Sequence, residues 1–135
     1  MPSSQQKAVV IIDDEKSYGD LLSQLLIDNL DCPVLTYSNP QEALDALPQL
    51  NVGVVVTDFF MPDLNGVQFI RRAAPNLPGV AFIMITGHPL KLSDESFDDI
   101  PALKAVVSKP FKWNELCDLV LEHWPDADSR PKAST

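Results

Sequence analysis

Asp13, Asp14, Asp58, Thr86 and Lys109 are the residues of this chain whose types and positions could do chemistry together. The acidic pair follows AVVII, Asp58 follows VGVVVT, Thr86 closes VAFIMIT, and Lys109 follows AVVS. Each therefore stands at the end of an apolar run. Three carboxylates, a hydroxyl and an ammonium gathered in one place would suit a divalent cation beside a phosphoryl group. Two carboxylates about 4 Å apart repel by about 4 kcal/mol at an effective dielectric of 20, which argues for a cation or Lys109 among them. Singly, each residue has a plainer use. Asp58 could cap the next loop, Asp13 and Asp14 could form a solvated acidic turn, Thr86 could be an ordinary β-branched strand residue, and Lys109 could face solvent before Pro110.

The elements that would gather them follow from periodicity. Runs that read as continuous Val, Ile and Ala are buried on both faces, as parallel strands under helices are. Residues 8–13, 52–57, 80–86 and 105–108 read as such strands, with Val34–Tyr37 as a shorter one. Between them, Tyr18, Leu21, Leu22, Leu25, Leu26 and Leu30 recur at helical spacing. Asn39 and Pro40 offer a cap with proline at the first helical position, and Ala43, Leu44 and Leu47 face inward. Gly66 closes the loop 59–65 ahead of a helix carrying Val67, Ile70 and Ala74, which Pro75 and Pro78 end. Trp113, Leu116, Leu119 and Val120 give a last helix. Strands alternating with helices imply right-handed βαβ units, and ligands in such sheets bind at the carboxyl ends of the strands. Residues 88–104 resist this pattern: prolines bound the stretch, its apolar residues fit helical spacing poorly, and a short or irregular element is expected there.

Composition narrows the function. The 135 residues suit one domain, placed at 8–124, with loose polar segments expected at 1–7 and 125–135 and no internal repeat. A net charge of −9, with no Lys/Arg-rich window, argues against direct nucleic-acid binding. No apolar stretch approaches the roughly 20 residues of a membrane span, so no membrane partner is expected and the cytoplasm is the expected location. Cys32 and Cys117 lack CxxC or Cys/His ligand spacing and read as semi-buried reduced thiols.

The strings IIDDE, TDFFMPDLNG, MITGH and SKPF, in this order over residues 8–124, resemble the receiver domain of two-component response regulators. The resemblance implies a flavodoxin-like (βα)5 fold, with a five-stranded parallel sheet of order 2-1-3-4-5 and helices on both faces. It implies that Asp58 accepts a phosphoryl group, and that Mg2+ is held by Asp13, Asp14, Asp58 and the backbone carbonyl of Phe60. Thr86 and Lys109 would then meet the phosphoryl oxygens, while Phe60 and His88 would line the approach. The implied partners are a sensor histidine kinase or histidine phosphotransfer protein as donor, and a downstream target protein. The implied activity is that of a phosphoacceptor regulator rather than an enzyme acting on other substrates. A Lys109-Pro110 junction of this kind is often cis in the family.

Two positions depart from the family pattern. Val106 stands three before Lys109, where many receivers carry an aromatic switch residue, and Gly87 follows Thr86 where alanine is common. Lys104, Lys112 and Trp113 mark a candidate docking surface on strand five and the last helix. Two other function classes compete: a scaffold that never carries phosphate, and a phosphatase with an aspartyl nucleophile. The second commonly carries DxD, which Asp58-Phe59-Phe60 lacks. A nucleotide-binding protein of this fold would need a phosphate-cradling loop after strand one, and DDEKSYG offers none.

Overall fold

The apolar runs pair side by side in one five-stranded parallel sheet of order β2-β1-β3-β4-β5. The strands are β1 (Ala8–Ile12), β2 (Val34–Tyr37), β3 (Val52–Asp58), β4 (Ala81–Thr86) and β5 (Leu103–Ser108). The structure, a computed structural model, describes residues 6–87 and 99–132. Every residue of β1, β3 and β4 is buried, whereas the outer strands β2 and β5 are largely half-buried or exposed, as sheet edges are.

Side chains alternate across the sheet and so divide the interior in two. Val10, Ile12, Val55, Phe82 and Met84 face α2 (Pro40–Ala46) and α3 (Gly66–Ala73), whose Ala43, Phe69 and Ile70 complete that layer. Val9, Ile11, Val54, Val56, Ile83 and Ile85 face α1 (Lys16–Asn29) and α4 (Trp113–Glu122), with Leu22, Leu26, Leu116 and Val120. Helices thus cover both faces, as a flavodoxin-like fold requires. Among the described residues, no helix is long and apolar enough to cross a membrane.

Local signals explain the helix starts. Asn39 accepts a hydrogen bond from the Gln41 amide, with Pro40 at the first position of α2. Asn65 and Gln68 form a reciprocal capping box at the start of α3. Gly66 is required there. A Cβ would lie 2.8 Å from the Asp58 carbonyl oxygen and 2.9 Å from Met84 Sδ, so only glycine lets α3 begin this close to the end of β3.

Three expectations change. Strand five begins at Leu103 rather than at 105, because Phe82 pairs with Leu103 before a register shift. Leu21 lies outside the buried stripe of α1 and is 61% exposed; Leu22 and Leu26 suffice to cover the sheet. Residues 125–132, expected to be loose, fold back on the domain instead. Trp124 Nε1 donates to Ser129 Oγ at 2.9 Å, the Asp31 amide donates to the Lys132 carbonyl at 2.9 Å, and Pro131 is buried. The irregular element expected over 88–104 falls largely outside the described residues.

Candidate functional site

Parallel pairing sets the strand ends level. Asp58 closes β3 opposite Ile85, and Thr86 closes β4 opposite Ser108, one residue before Lys109. Backbone bonds continue this alignment past the strands: the Phe59 amide donates to Ile85 and the Lys109 amide to Thr86, both at 2.8 Å. Asp13, one past β1, donates its amide to the Tyr37 carbonyl. The loop beyond Asp58 is clamped by the Gly66 amide, which donates to the Phe59 carbonyl at 2.8 Å.

The carboxylates meet here. One oxygen from each of Asp13, Asp14 and Asp58 lies within 4.8 Å of the others, with Asp13 buried and Asp14 exposed. The Asp13 carboxylate also accepts the Glu15 amide at 2.9 Å, which turns the chain out of the strand and into α1. Gly19 in the first turn of α1 lies against the Asp13 side chain, where its missing Cβ would sit 3.6 Å from Asp13 Cβ. Lys109 Nζ is 3.3 Å from Asp58 Oδ1 across a partly shielded pair, and the Lys109-Pro110 bond is cis. Thr86 is buried beside them, and its neighbour Gly87 leaves the Lys109 stem uncrowded.

Burial governs the electrostatics. It pushes the Asp13 carboxyl up to about 6, a rise that the Glu15 amide opposes and the Asp58 charge reinforces. Burial also raises Asp58, and the Lys109 ammonium pulls it back without cancelling the rise. All-oxygen donors of this charge, part buried and part open to solvent, fit a hard divalent cation such as Mg2+, which keeps several waters. With such an ion bound, its charge would offset the repulsion among the carboxylates, a smaller contribution to their raised pKa values than burial.

The five strand-end residues anticipated from sequence thus share one edge of the sheet. Phe60, two residues beyond Asp58, is 54% exposed. His88 lies outside the described residues. Sequence reasoning missed Tyr18, assigned above only to the apolar stripe of α1. Its ring centroid is 4.2 Å from Lys109 Nζ, a cation–π contact. Burial raises the Tyr18 hydroxyl above its usual range, so the phenol is neutral at physiological pH. The signal available was position: an aromatic residue four beyond Asp14, in the first turn of a stripe otherwise made of leucine.

Residues 9–121 match the response regulator receiver domain. The transcriptional regulatory protein FixJ of Bradyrhizobium diazoefficiens is 30% identical over 115 residues. That match covers 83% of this chain and 54% of FixJ, so the chain spans about half the length of that relative. The response regulator receiver protein CpdR of Brucella abortus is 27% identical, over 82% of this chain and 90% of that protein. Among solved structures, the response regulator TrrA of Thermotoga maritima in complex with Mg(2+)-BeF superposes with a TM-score of 0.73 at 24% identity, covering 87% of this chain and 98% of that one.

Proposed function

The chain belongs to the response regulator receiver family of two-component systems, a family of phosphoacceptor signalling modules, and from that premise we propose that Asp58 is its phosphoacceptor. Receiver domains take their phosphoryl group from histidine kinases or phosphotransfer proteins, and they bind Mg2+ at an acidic pocket. The observation that carries the reading here is the 3.3 Å approach of Lys109 Nζ to Asp58 Oδ1, in a cluster with Asp13 and Asp14.

In the proposed reaction a carboxylate oxygen of Asp58 attacks the phosphorus of a phosphohistidine. The P–N bond breaks, the imidazole leaves with the bonding electron pair and takes up a proton, and an acyl phosphate forms. Asp13, Asp14, Asp58 and the Phe60 carbonyl are the groups that would hold Mg2+, whose charge would offset that of the phosphoryl oxygens. The Lys109 ammonium stands where it can exchange its contact with the carboxylate for one with a phosphoryl oxygen. The Thr86 hydroxyl would donate to another. Water later attacks the phosphorus of the acyl phosphate, the P–O bond to Asp58 breaks, and inorganic phosphate leaves with the carboxylate restored. Superposition on TrrA, solved with Mg2+ and BeF, supports the fold that this chemistry needs.

The downstream partner is a protein whose affinity differs between the two states, engaged in the cytoplasm. Trp113 and Val106, 56% and 37% exposed beside Lys104 and Lys112, support β5 and the start of α4 as its docking surface. The direct test is incubation with a small acyl phosphate and Mg2+, read by intact mass. A phosphoryl adduct that disappears in Asp58→Asn is the expected result. No adduct from saturating acyl phosphate or from a histidine kinase would overturn the proposal in favour of a phosphate-independent scaffold.

A further inference from the structure

Among the described residues, contacts of different kinds meet at the Lys109 ammonium: the Asp58 carboxylate at 3.3 Å and the face of Tyr18 at 4.2 Å from its centroid. The carboxylate attracts it directionally. The ring offers the negative face of its quadrupole over a broad area, well inside the ~6 Å reach of a cation–π contact. Apolar packing does not demand an aromatic residue here. Leu22, Leu26 and Leu30 already bury α1 and its cap against the sheet, and Tyr18 is only half-buried at the edge of that cluster. A leucine at position 18 would cover the same stem and leave the ammonium to sample its rotamers, since a four-carbon chain bearing a compact charge is held poorly by one partner.

We propose that Tyr18 is a positioning residue for phosphoryl acceptance, its ring fixing the Lys109 ammonium beside Asp58 before the donor arrives. This inference rests on Asp58 being the phosphoacceptor. The ring acts on the site through its contact with Lys109. Its contribution is preorganisation, because a charge already in place needs no reorganisation when the phosphoryl oxygens develop theirs. The phenyl face does this and the hydroxyl does not, so phenylalanine would serve and leucine would not.

The experiment compares wild type, Tyr18→Phe and Tyr18→Leu for the rate of adduct formation with a small acyl phosphate and Mg2+, each also in a Lys109→Ala background. Tyr18→Leu is expected to slow acceptance about threefold to tenfold, with Tyr18→Phe within about twofold of wild type. In the Lys109→Ala background Tyr18→Leu should add no further loss, since the ring then has no ammonium to hold. A second readout needs no donor and no Mg2+: the Lys109 ε-methylene proton resonances should lie upfield in wild type and Tyr18→Phe and return toward ordinary positions in Tyr18→Leu. Equal rates for Tyr18→Leu and an active wild type would overturn this inference alone. So would an equal loss in Tyr18→Phe, or an additive loss without Lys109. A wild type that accepts no phosphoryl group from any donor would overturn the assignment of Asp58 and this inference together.

Discussion

The two ends of this sheet are built on opposite terms. At the amino ends of the strands, the Trp124 indole lies on Gly53, where even a Cβ would come within 2.6 Å of the ring. The polar groups around it are matched: Trp124 Nε1 to Ser129, Asp31 to Lys132, and the Ala8 amide to Asn51. At the carboxyl ends, three carboxylates crowd one crevice, and burial lifts Asp13 to about 6 and raises Asp58. One end is arranged for staying folded. The other holds charge that folding alone would disfavour, and under the proposed function it is the working end.

Four measurements would break or sharpen that contrast. The largest effect is expected from Asp58→Asn, which removes the proposed nucleophile: adduct formation should fall to background while the protein still unfolds cooperatively. Next is Trp124→Ala at the opposite end. It should lower stability in urea by about 3–5 kcal/mol, as aromatic truncations in cores do, yet the folded fraction should accept phosphate at the wild-type rate. Slowed acceptance by fully folded Trp124→Ala would show that the two ends are coupled and the contrast is false.

A smaller effect, of opposite sign, is expected from Asp13→Asn. The folded pKa of about 6 lies above the ordinary 3.8, so the native state binds the extra proton between those values. Stability contributed by that proton is present below pH 4 and lost as pH rises through 6. Asparagine escapes the loss. Without divalent cations at pH 7, Asp13→Asn should therefore stabilise the fold by about 1–2 kcal/mol, with the gain fading as pH falls toward 4. Its Mg2+ affinity should fall at the same time. A destabilised Asp13→Asn at pH 7 would mean that the carboxyl end carries no such penalty. The smallest effect concerns fluorescence. Trp124 reports on the amino end and Trp113 is largely in solvent, so Mg2+ should change tryptophan emission by no more than about a tenth. Strong quenching would place an indole at the acidic cluster.

Much of the working end was legible in sequence because its strands are buried on both faces. Runs such as VGVVVT and AFIMIT cannot be read as amphipathic helix, so the residues that end them announce the sheet edge. Tyr18 was not legible as a site residue. Spacing put it on the inward stripe of α1, and only the placement of Lys109 from a strand some ninety residues later gives its ring a partner. Leu21 shows the same limit from the other side: periodicity defines a stripe but not where its margin meets solvent. The return of 125–132 was invisible for a different reason. Its order comes from a few isolated bonds in a proline-broken polar peptide, and no period reports them.

That return fixes the position of Lys132 on the domain. Lys132 is bound at Asp31, just past the carboxyl end of α1, which runs back to the amino side of the sheet. A strand of the length of β3 spans roughly 20 Å, so Lys132 and Asp58 stand on opposite poles. An immobilising tag joined beyond Lys132 would present the acidic crevice outward from a bead or sensor chip, leaving it open to a macromolecular donor in solution.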